Sequence, residues 1–198
     1  MPRMFGTDGV RGLANRALTA QLALDLGDAA VRVLGDDGDK SEFDGRRRAL
    51  VGRDTRVSGD FLAAALSAGM SAGGFDVIDA GIIPTPGVAY LTSVLNVEMG
   101  AVISASHNPV EYHGIKFFNN QGYKLSDALE DEIENIIMSH PEILPSPTGI
   151  GLGTKEYAED ALDDYIAFLT RTTTEKFDGI KVALDCANGA AYKAAPIA

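Results

Sequence analysis

Met99-Gly100-Ala101-Val102-Ile103 runs directly into Ser104-Ala105-Ser106-His107-Asn108-Pro109. An unbroken apolar pentapeptide reads as a short buried strand, and an Asn-Pro pair just beyond it reads as a turn. Two serines and a histidine therefore sit where a core strand leaves its sheet. A plain polar turn between two core strands would have the same spacing.

The segments before this stretch decide the architecture. Ala49–Gly52, Phe75–Ala80 and Met99–Ile103 are strand-like, and two helical patterns separate them. The first runs from Ser58, as N-cap, through Phe61, Leu62, Ala65, Leu66 and Met70 to Gly73-Gly74. The second starts at Thr85-Pro86 and ends near Leu95. Alternating strands and helices imply right-handed crossovers and a largely parallel sheet covered on both faces. In such sheets ligands gather at the carboxyl ends of strands, where Ser104–Pro109 lies. Behind it, Gly114–Phe118 and Tyr123–Leu125 flank Asn119-Asn120-Gln121-Gly122, a hairpin signal that makes part of the sheet antiparallel. The expected fold class is α/β: a three-layer α/β/α domain over residues 1–150, with a mixed, mainly parallel sheet.

Thr19 reads as the N-cap of a helix over 20–34 that Gly35 stops. Residues 36–48 read as a solvated loop whose Arg46–Arg48 run forms a charged rim. Asp127 and Glu130 read as a capping-box pair for a helix reaching Ser139. Pro141, Pro145, Pro147 and Gly149, Gly151 and Gly153 mark a linker. A helix from about Tyr157 to Leu169, with Glu156, Glu159, Asp160, Asp163 and Asp164 as a solvated face, then leads to a strand over Ile180–Leu184. Cys186 reads as buried packing at the end of that strand.

Composition narrows the partners. A formal charge of −11 over 198 residues argues against a general nucleic-acid surface. It leaves room for a small anion held by a few local cations and backbone donors. One cysteine cannot form an internal disulfide. No secretory apolar core opens the chain and no apolar run reaches ~20 residues, so the expectation is a cytoplasmic protein with no membrane partner.

Phe5-Gly6-Thr7-Asp8-Gly9-Val10-Arg11-Gly12 is the other chemically suggestive stretch. Its glycines permit tight turns, and a guanidinium matches two phosphate oxygens. Pairing of Arg11 with Asp8 on a surface loop is the competing reading. Arg53 and Arg56, after the Ala49–Gly52 strand, either support a centre from behind or pair with Asp54 and Asp60. His113 and Lys124 read as loop residues.

Gly6–Gly12, Ser104–Pro109 and Gly114-Ile115-Lys116-Phe117-Phe118, in that order, resemble the α-D-phosphohexomutase superfamily and, within it, the bacterial phosphoglucosamine mutase branch. The resemblance runs along the whole chain except the polar stretch near 36–48. It implies that Ser106, directly before the histidine, carries a transferable phosphoryl group. Lys116 is then the general acid/base and Arg11 belongs to the catalytic centre; His107 itself reads either as a donor to phosphoryl oxygens or as a packing or loop-fixing residue. It further implies interconversion of glucosamine 6-phosphate and glucosamine 1-phosphate, with glucosamine 1,6-bisphosphate as intermediate or activator. Mg2+ would be held by the Ser106 phosphate and by an aspartate-rich loop of a second domain.

Since the superfamily enzyme has four domains, residues 1–150 correspond to the first. Residues 151–198 correspond to a linker helix and the start of the second, with Asp185-Cys186-Ala187-Asn188-Gly189-Ala190 as its opening strand and turn. The chain then reads as a fragment without turnover of its own. Mannose or glucose phosphates as substrates, a non-catalytic phosphate-binding or oligomerisation module, and a homodimer remain open.

Overall fold

The computed structural model describes residues 3–35, 45–139, 146–175 and 177–198. The elements in order are β1 (Val10–Leu13), α1 (Ala20–Gly35), β2 (Arg48–Arg53), α2 (Ser58–Ala72), β3 (Asp76–Ile82), α3 (Thr85–Val94), β4 (Met99–Ile103), β5 (Tyr112–Asn119), α4 (Asp127–Ser139), β6 (Lys155–Tyr157) and α5 (Ala161–Arg171). The strands form one sheet in the order β1-β5-β4-β2-β3-β6. β4, β2, β3 and β6 pair in parallel, while β5 is antiparallel to both β4 and β1. This is the mixed, mainly parallel sheet expected from the sequence.

Both faces are covered. On one, Ala49, Val51, Val77, Met99, Ala101, Ile103, Ile115 and Phe117 pack with α1, α2 and α4. On the other, Leu50, Ile78, Val102 and Phe118 pack with α3 and α5. The alternation of Ala49/Leu50/Val51 between the two cores is the period of two that a strand imposes. All five residues of β4 are buried, which accounts for its unbroken apolar run.

α1 begins where the Thr19 Oγ1 accepts the Leu22 N–H at 3.1 Å. It crosses α2 with backbones almost touching. A Cβ on Gly69 would lie 2.0 Å from the Leu24 carbonyl oxygen, and one on Gly27 would lie 2.3 Å from that of Leu66. Gly69→Ala is therefore expected to push the two helices apart and cost about 1–3 kcal/mol, the usual range for overpacking. Urea unfolding checks this: a midpoint at or above the parent's would contradict the close crossing.

Several local expectations change. The antiparallel part of the sheet comes from β5 pairing with β4 and β1, whereas Tyr123–Leu125 contributes only a Phe118↔Lys124 bridge. Tyr123 is exposed, and Gly122, at φ 79°, turns against the Ala89 carbonyl, so the chain leaves the sheet for α4. α4 has no Asp127/Glu130 capping box. Ser126 sits ahead of the helix with its Oγ 3.4 Å from the Leu129 N–H, and the buried Glu130 turns inward to Lys124 at 2.8 Å and Arg3 at 3.3 Å. Val57, not Ser58, is the N-cap of α2.

Arg46 forks onto Asp76 at 2.7 and 2.9 Å and also reaches the carbonyls of Ile150 and Leu152. It is a tie between segments rather than a free rim. The rest of the solvated-loop expectation for residues 36–44, and the linker prolines 141 and 145, lie outside the described residues. Residues 155–157 extend the sheet as β6, which delays the following helix to Ala161. α5 docks on α3 through a Tyr90–Phe168 stack with centroids 3.9 Å apart. Ile180–Leu184 forms no strand: no described strand borders it, the Ile180 N–H turns back to the Phe177 carbonyl at 3.1 Å, and Ile180, Val182 and Leu184 are exposed.

Candidate active site

The carboxyl ends of β2 and β4 deliver two segments side by side, Arg53–Val57 and Ser104–Tyr112. Asp54 joins them to the sheet, its N–H donating to the Ile103 carbonyl at 2.9 Å. The Asp54 carboxylate is 7% exposed and fully engaged: Oδ1 accepts the Arg56 N–H at 3.0 Å, and Oδ2 accepts Arg56 Nε at 3.0 Å and the Ser104 hydroxyl at 2.9 Å. Arg56 in turn spreads its guanidinium over the loop backbone. Nη1 donates to the carbonyls of Pro109 (2.7 Å) and Tyr112 (3.2 Å), and Nη2 to those of Ser106 and Asn108 (both 2.9 Å). Arg53 takes the other role left open for it and pairs with Asp60 at 2.6 Å.

Ser106 occupies left-handed backbone, φ 55°. For a residue with a Cβ that conformation costs roughly 1–2 kcal/mol, and it persists only where its surroundings hold it. Its N–H donates to Ser104 Oγ at 3.1 Å and its carbonyl is taken by Arg56. The side chain is exposed, with Oγ 3.4 Å from His107 Nδ1.

Arg11 and Lys116 meet elsewhere on the same face of the sheet. The β1–β5 register sets Arg11 opposite Gly114, and the β4–β5 register sets Lys116 opposite Val102. Both cations converge on Asp8: Lys116 Nζ is 3.1 Å from Oδ1 and Arg11 Nη2 is 3.0 Å from Oδ2. The Lys116 hydrogen bond and charge hold the Asp8 carboxyl below its ordinary range. Glycine is required at two points here. A Cβ on Gly9, at φ 82°, would stand 2.2 Å from the Ile115 carbonyl oxygen, and one on Gly114 would stand 2.8 Å from that of Ser104 and 3.0 Å from Arg11 Cγ.

The sequence reading of His113 as a loop residue is corrected by the structure. It lies in β5 with Ile115 and Phe117 on the core-facing side and is fully buried. Nδ1 accepts the Gly114 N–H at 3.0 Å, so the ring proton sits on Nε2, 3.5 Å from Asp54 Oδ1. Burial pushes the His113 pKa down, opposed by Asp54 and reinforced by Arg56 and Arg53. With a folded-state value below the unfolded 6.5, the unfolded chain takes up the extra proton, and this contribution to stability is complete above pH 6.5 and declines as pH falls toward the lower value. Urea midpoints should therefore fall between pH 7.5 and 5.5 in the parent and fall less in His113→Gln. Equal declines would contradict a neutral buried His113.

A cavity of about 910 Å³ opens over the serine loop. Ser104, Ser106 and His107 line it, with Arg56, the Pro84–Pro86 turn and the later stretch Cys186–Tyr192. Thr55 Oγ1 donates to the Asn188 carbonyl across its rim. Cys186, expected to be buried, is half-buried because its strand does not form. Arg11 and Lys116 are not part of this lining. The structure thus brings together Ser106 with His107, and Arg11 with Lys116. The sequence reading missed Asp54 as a hub, although Asp54-Thr55-Arg56 directly after a buried strand was the available signal.

Ser106 offers a single oxygen, and no cluster of three His, Cys, Asp or Glu stands among the described residues to hold a cation. The described residues thus do not by themselves make up a Mg2+ site. No described helix is long and apolar enough to cross a membrane.

A family model described as phosphoglucomutase/phosphomannomutase, alpha/beta/alpha domain I, matches residues 2–143. A phosphoglucosamine mutase of Bifidobacterium adolescentis is 66% identical over 206 residues, covering 99% of this chain and 44% of the relative. One from Ruminiclostridium cellulolyticum is 54% identical over 198 residues, covering 100% of this chain and 43% of the relative. The chain thus spans less than half the length of these curated relatives. A crystal structure of a phosphoglucomutase/phosphomannomutase family protein from Burkholderia thailandensis superposes with a TM-score of 0.68 at 28% identity, over 83% of this chain and 34% of that one.

Proposed function

We propose that this chain, which belongs to the phosphoglucomutase/phosphomannomutase family, carries the phosphoryl-donating serine of an enzyme that interconverts glucosamine 6-phosphate and glucosamine 1-phosphate. The observation that carries the reading is the Ser106 loop: an exposed serine in left-handed backbone, held by its own peptide groups at the mouth of a sheet. The amino-sugar substrate rests on the relatives named phosphoglucosamine mutase, at 54–66% identity.

In this reading the Ser106 Oγ–P bond breaks as a sugar hydroxyl forms a new O–P bond, giving glucosamine 1,6-bisphosphate and a free serine. Lys116, as the free amine, takes the proton leaving the sugar hydroxyl, and that proton returns from its ammonium to the serine oxygen as the bond to phosphorus breaks. After the bisphosphate turns over in the site, Ser106 takes back the phosphoryl group from the other position. Arg11 pairs with phosphate oxygens once they displace Asp8, since a guanidinium binds phosphate through two parallel donors. His107 donates to the phosphoryl group on Ser106. Were Mg2+ bound, the Ser106 phosphate would supply one of its ligands and other parts of the enzyme the rest, and the ion would supply neutralisation of phosphoryl charge. Residues 1–150 are the first domain; β6, α5 and the segment to Ala198 are the link to, and opening of, the second. The enzyme works in the cytoplasm.

A bisphosphate-primed coupled assay tests this. The full-length enzyme should turn over glucosamine phosphate faster than mannose or glucose phosphate, and the 198-residue chain alone should not turn over. A preference for mannose or glucose phosphate would overturn the substrate assignment.

A further inference from the structure

We propose that Asp54 is the positioning residue of the serine loop: it fixes the direction of the Ser106 hydroxyl through two separate arms, Ser104 and Arg56. The proposal deepens the reading of Ser106 as the transferring serine and rests on it for its kinetic consequence. Its structural content stands apart from that reading.

Three observations converge. First, the left-handed peptide of Ser106 is gripped on both sides, the N–H by Ser104 Oγ (3.1 Å) and the carbonyl by Arg56 Nη2 (2.9 Å). Second, both grips hang on one oxygen, since Asp54 Oδ2 accepts the Ser104 hydroxyl (2.9 Å) and Arg56 Nε (3.0 Å). Third, that carboxylate is almost out of water, walled by the fully buried His113 and paired with an Arg56 side chain only 11% exposed. Charge-assisted hydrogen bonds in such surroundings are short and directional, so the network behaves as one rigid unit.

The direction of each hydrogen bond matters. Ser104 has one proton; Asp54 accepts it, so the Ser104 lone pairs are aimed at the Ser106 N–H. Were Asp54 an amide, its NH2 would face either the Ser104 hydroxyl and Arg56 Nε together, opening both arms, or the Arg56 N–H and His113 Nε2, and in both cases the charge that holds the guanidinium is lost. Ser106 could then relax toward the right-handed or extended regions that a serine prefers, and Oγ would swing away from its in-line position.

The variants are Ser104→Ala, Ser104→Thr and Asp54→Asn, read in two ways. On the isotopically labelled 198-residue chain, amide exchange and the HN–Hα coupling report the Ser106 N–H bond and its φ. In the full-length enzyme, kcat and KM for glucosamine phosphate report the chemistry. Ser104→Ala should speed exchange at Ser106 at least tenfold while the amides of β2 and β4 stay within twofold of the parent. It should also lower kcat about fivefold, the size of one lost hydrogen bond, with KM within twofold. Ser104→Thr, which keeps the hydroxyl, should restore both. Asp54→Asn should lower kcat further than Ser104→Ala; if it unfolds, the two Ser104 variants still decide.

Exchange that rises throughout the sheet, kcat unchanged in Ser104→Ala, or a kcat loss that Ser104→Thr does not recover would each overturn the positioning role. A parent enzyme without mutase turnover would instead defeat the functional reading and leave the exchange data to judge the network.

Discussion

Ser106→Ala in the full-length enzyme is expected to abolish glucosamine phosphate turnover, by at least about 10⁴-fold in kcat, the scale on which removal of a covalent nucleophile acts. In the proposed reaction the phosphoryl group has to be stored on the protein between leaving one sugar oxygen and arriving at the other. Alanine offers no oxygen for it, and supplying bisphosphate cannot help, because the free enzyme then has no acceptor for the second phosphate. Fold stability should change little: the Ser106 side chain is exposed, and the network holding the loop uses its peptide groups rather than its hydroxyl. Alanine at φ 55° carries the same left-handed cost as serine. A bisphosphate-primed coupled assay with matched unfolding curves checks both halves. Near-normal turnover would remove Ser106 from the mechanism.

Lys116→Met should have the next largest effect and a different signature. The methionine approximates the length of the lysine stem but removes the ammonium, so proton relay and charge stabilisation are lost together while β5 stays packed between β1 and β4. Loss of one positioned acid/base group costs about 10²–10⁴-fold. Phosphate already on Ser106 should remain there, since the variant slows its transfer without removing the bond. The parent and variant are compared by intact-protein mass before and after incubation with glucosamine 6-phosphate. The parent should discharge; the variant should stay phosphorylated. A variant that discharges at the parent's rate would show that Lys116 has no part in transfer.

The wiring around Asp8 explains why Lys116 and Arg11 must be read together. Asp8 occupies both cations at about 3 Å, from Nζ on one side and Nη2 on the other. The competing sequence reading of Arg11, a surface pair with Asp8, is therefore present in the molecule, yet the same aspartate also reaches Lys116 on the neighbouring strand. Sequence spacing could not reveal this, because Asp8 and Lys116 are joined only by the β1–β5 pairing, and Val10–Leu13 carries too little β pattern to read as a strand.

Much of the sheet was legible because β2, β3 and β4 are buried on both faces and read as apolar runs between capped or glycine-ended helices. The ends were less so. Lys155–Tyr157 has every residue exposed and gives no apolar signal, and its place in the sheet depends on Arg46, Asp76 and Thr154 tying the segment down. Ile180–Leu184 has the opposite fault: it alternates like a strand but has no described neighbour to pair with. In the site, Ser104, Ser106 and His107 stood out as polar residues ending a core strand. Arg56 reads in sequence as a support or a surface pair, but its partners, the Ser106 and Asn108 carbonyls some fifty positions away, were not legible, nor was the bond from Ser104 to Asp54. The period of two in Tyr112–Asn119 could have placed His113 in the core alongside Ile115 and Phe117, had the strand been started two residues earlier.

Ser106 is proposed to hold phosphate between the two halves of the reaction. The most direct measurement is site mapping after the full-length enzyme is incubated with labelled bisphosphate: proteolysis, then fragmentation of the peptide spanning Ser104 and Ser106. Label is expected on Ser106 alone, discharged when glucosamine phosphate is added. Label on Ser104, or active enzyme with no phosphate on either serine, would contradict it.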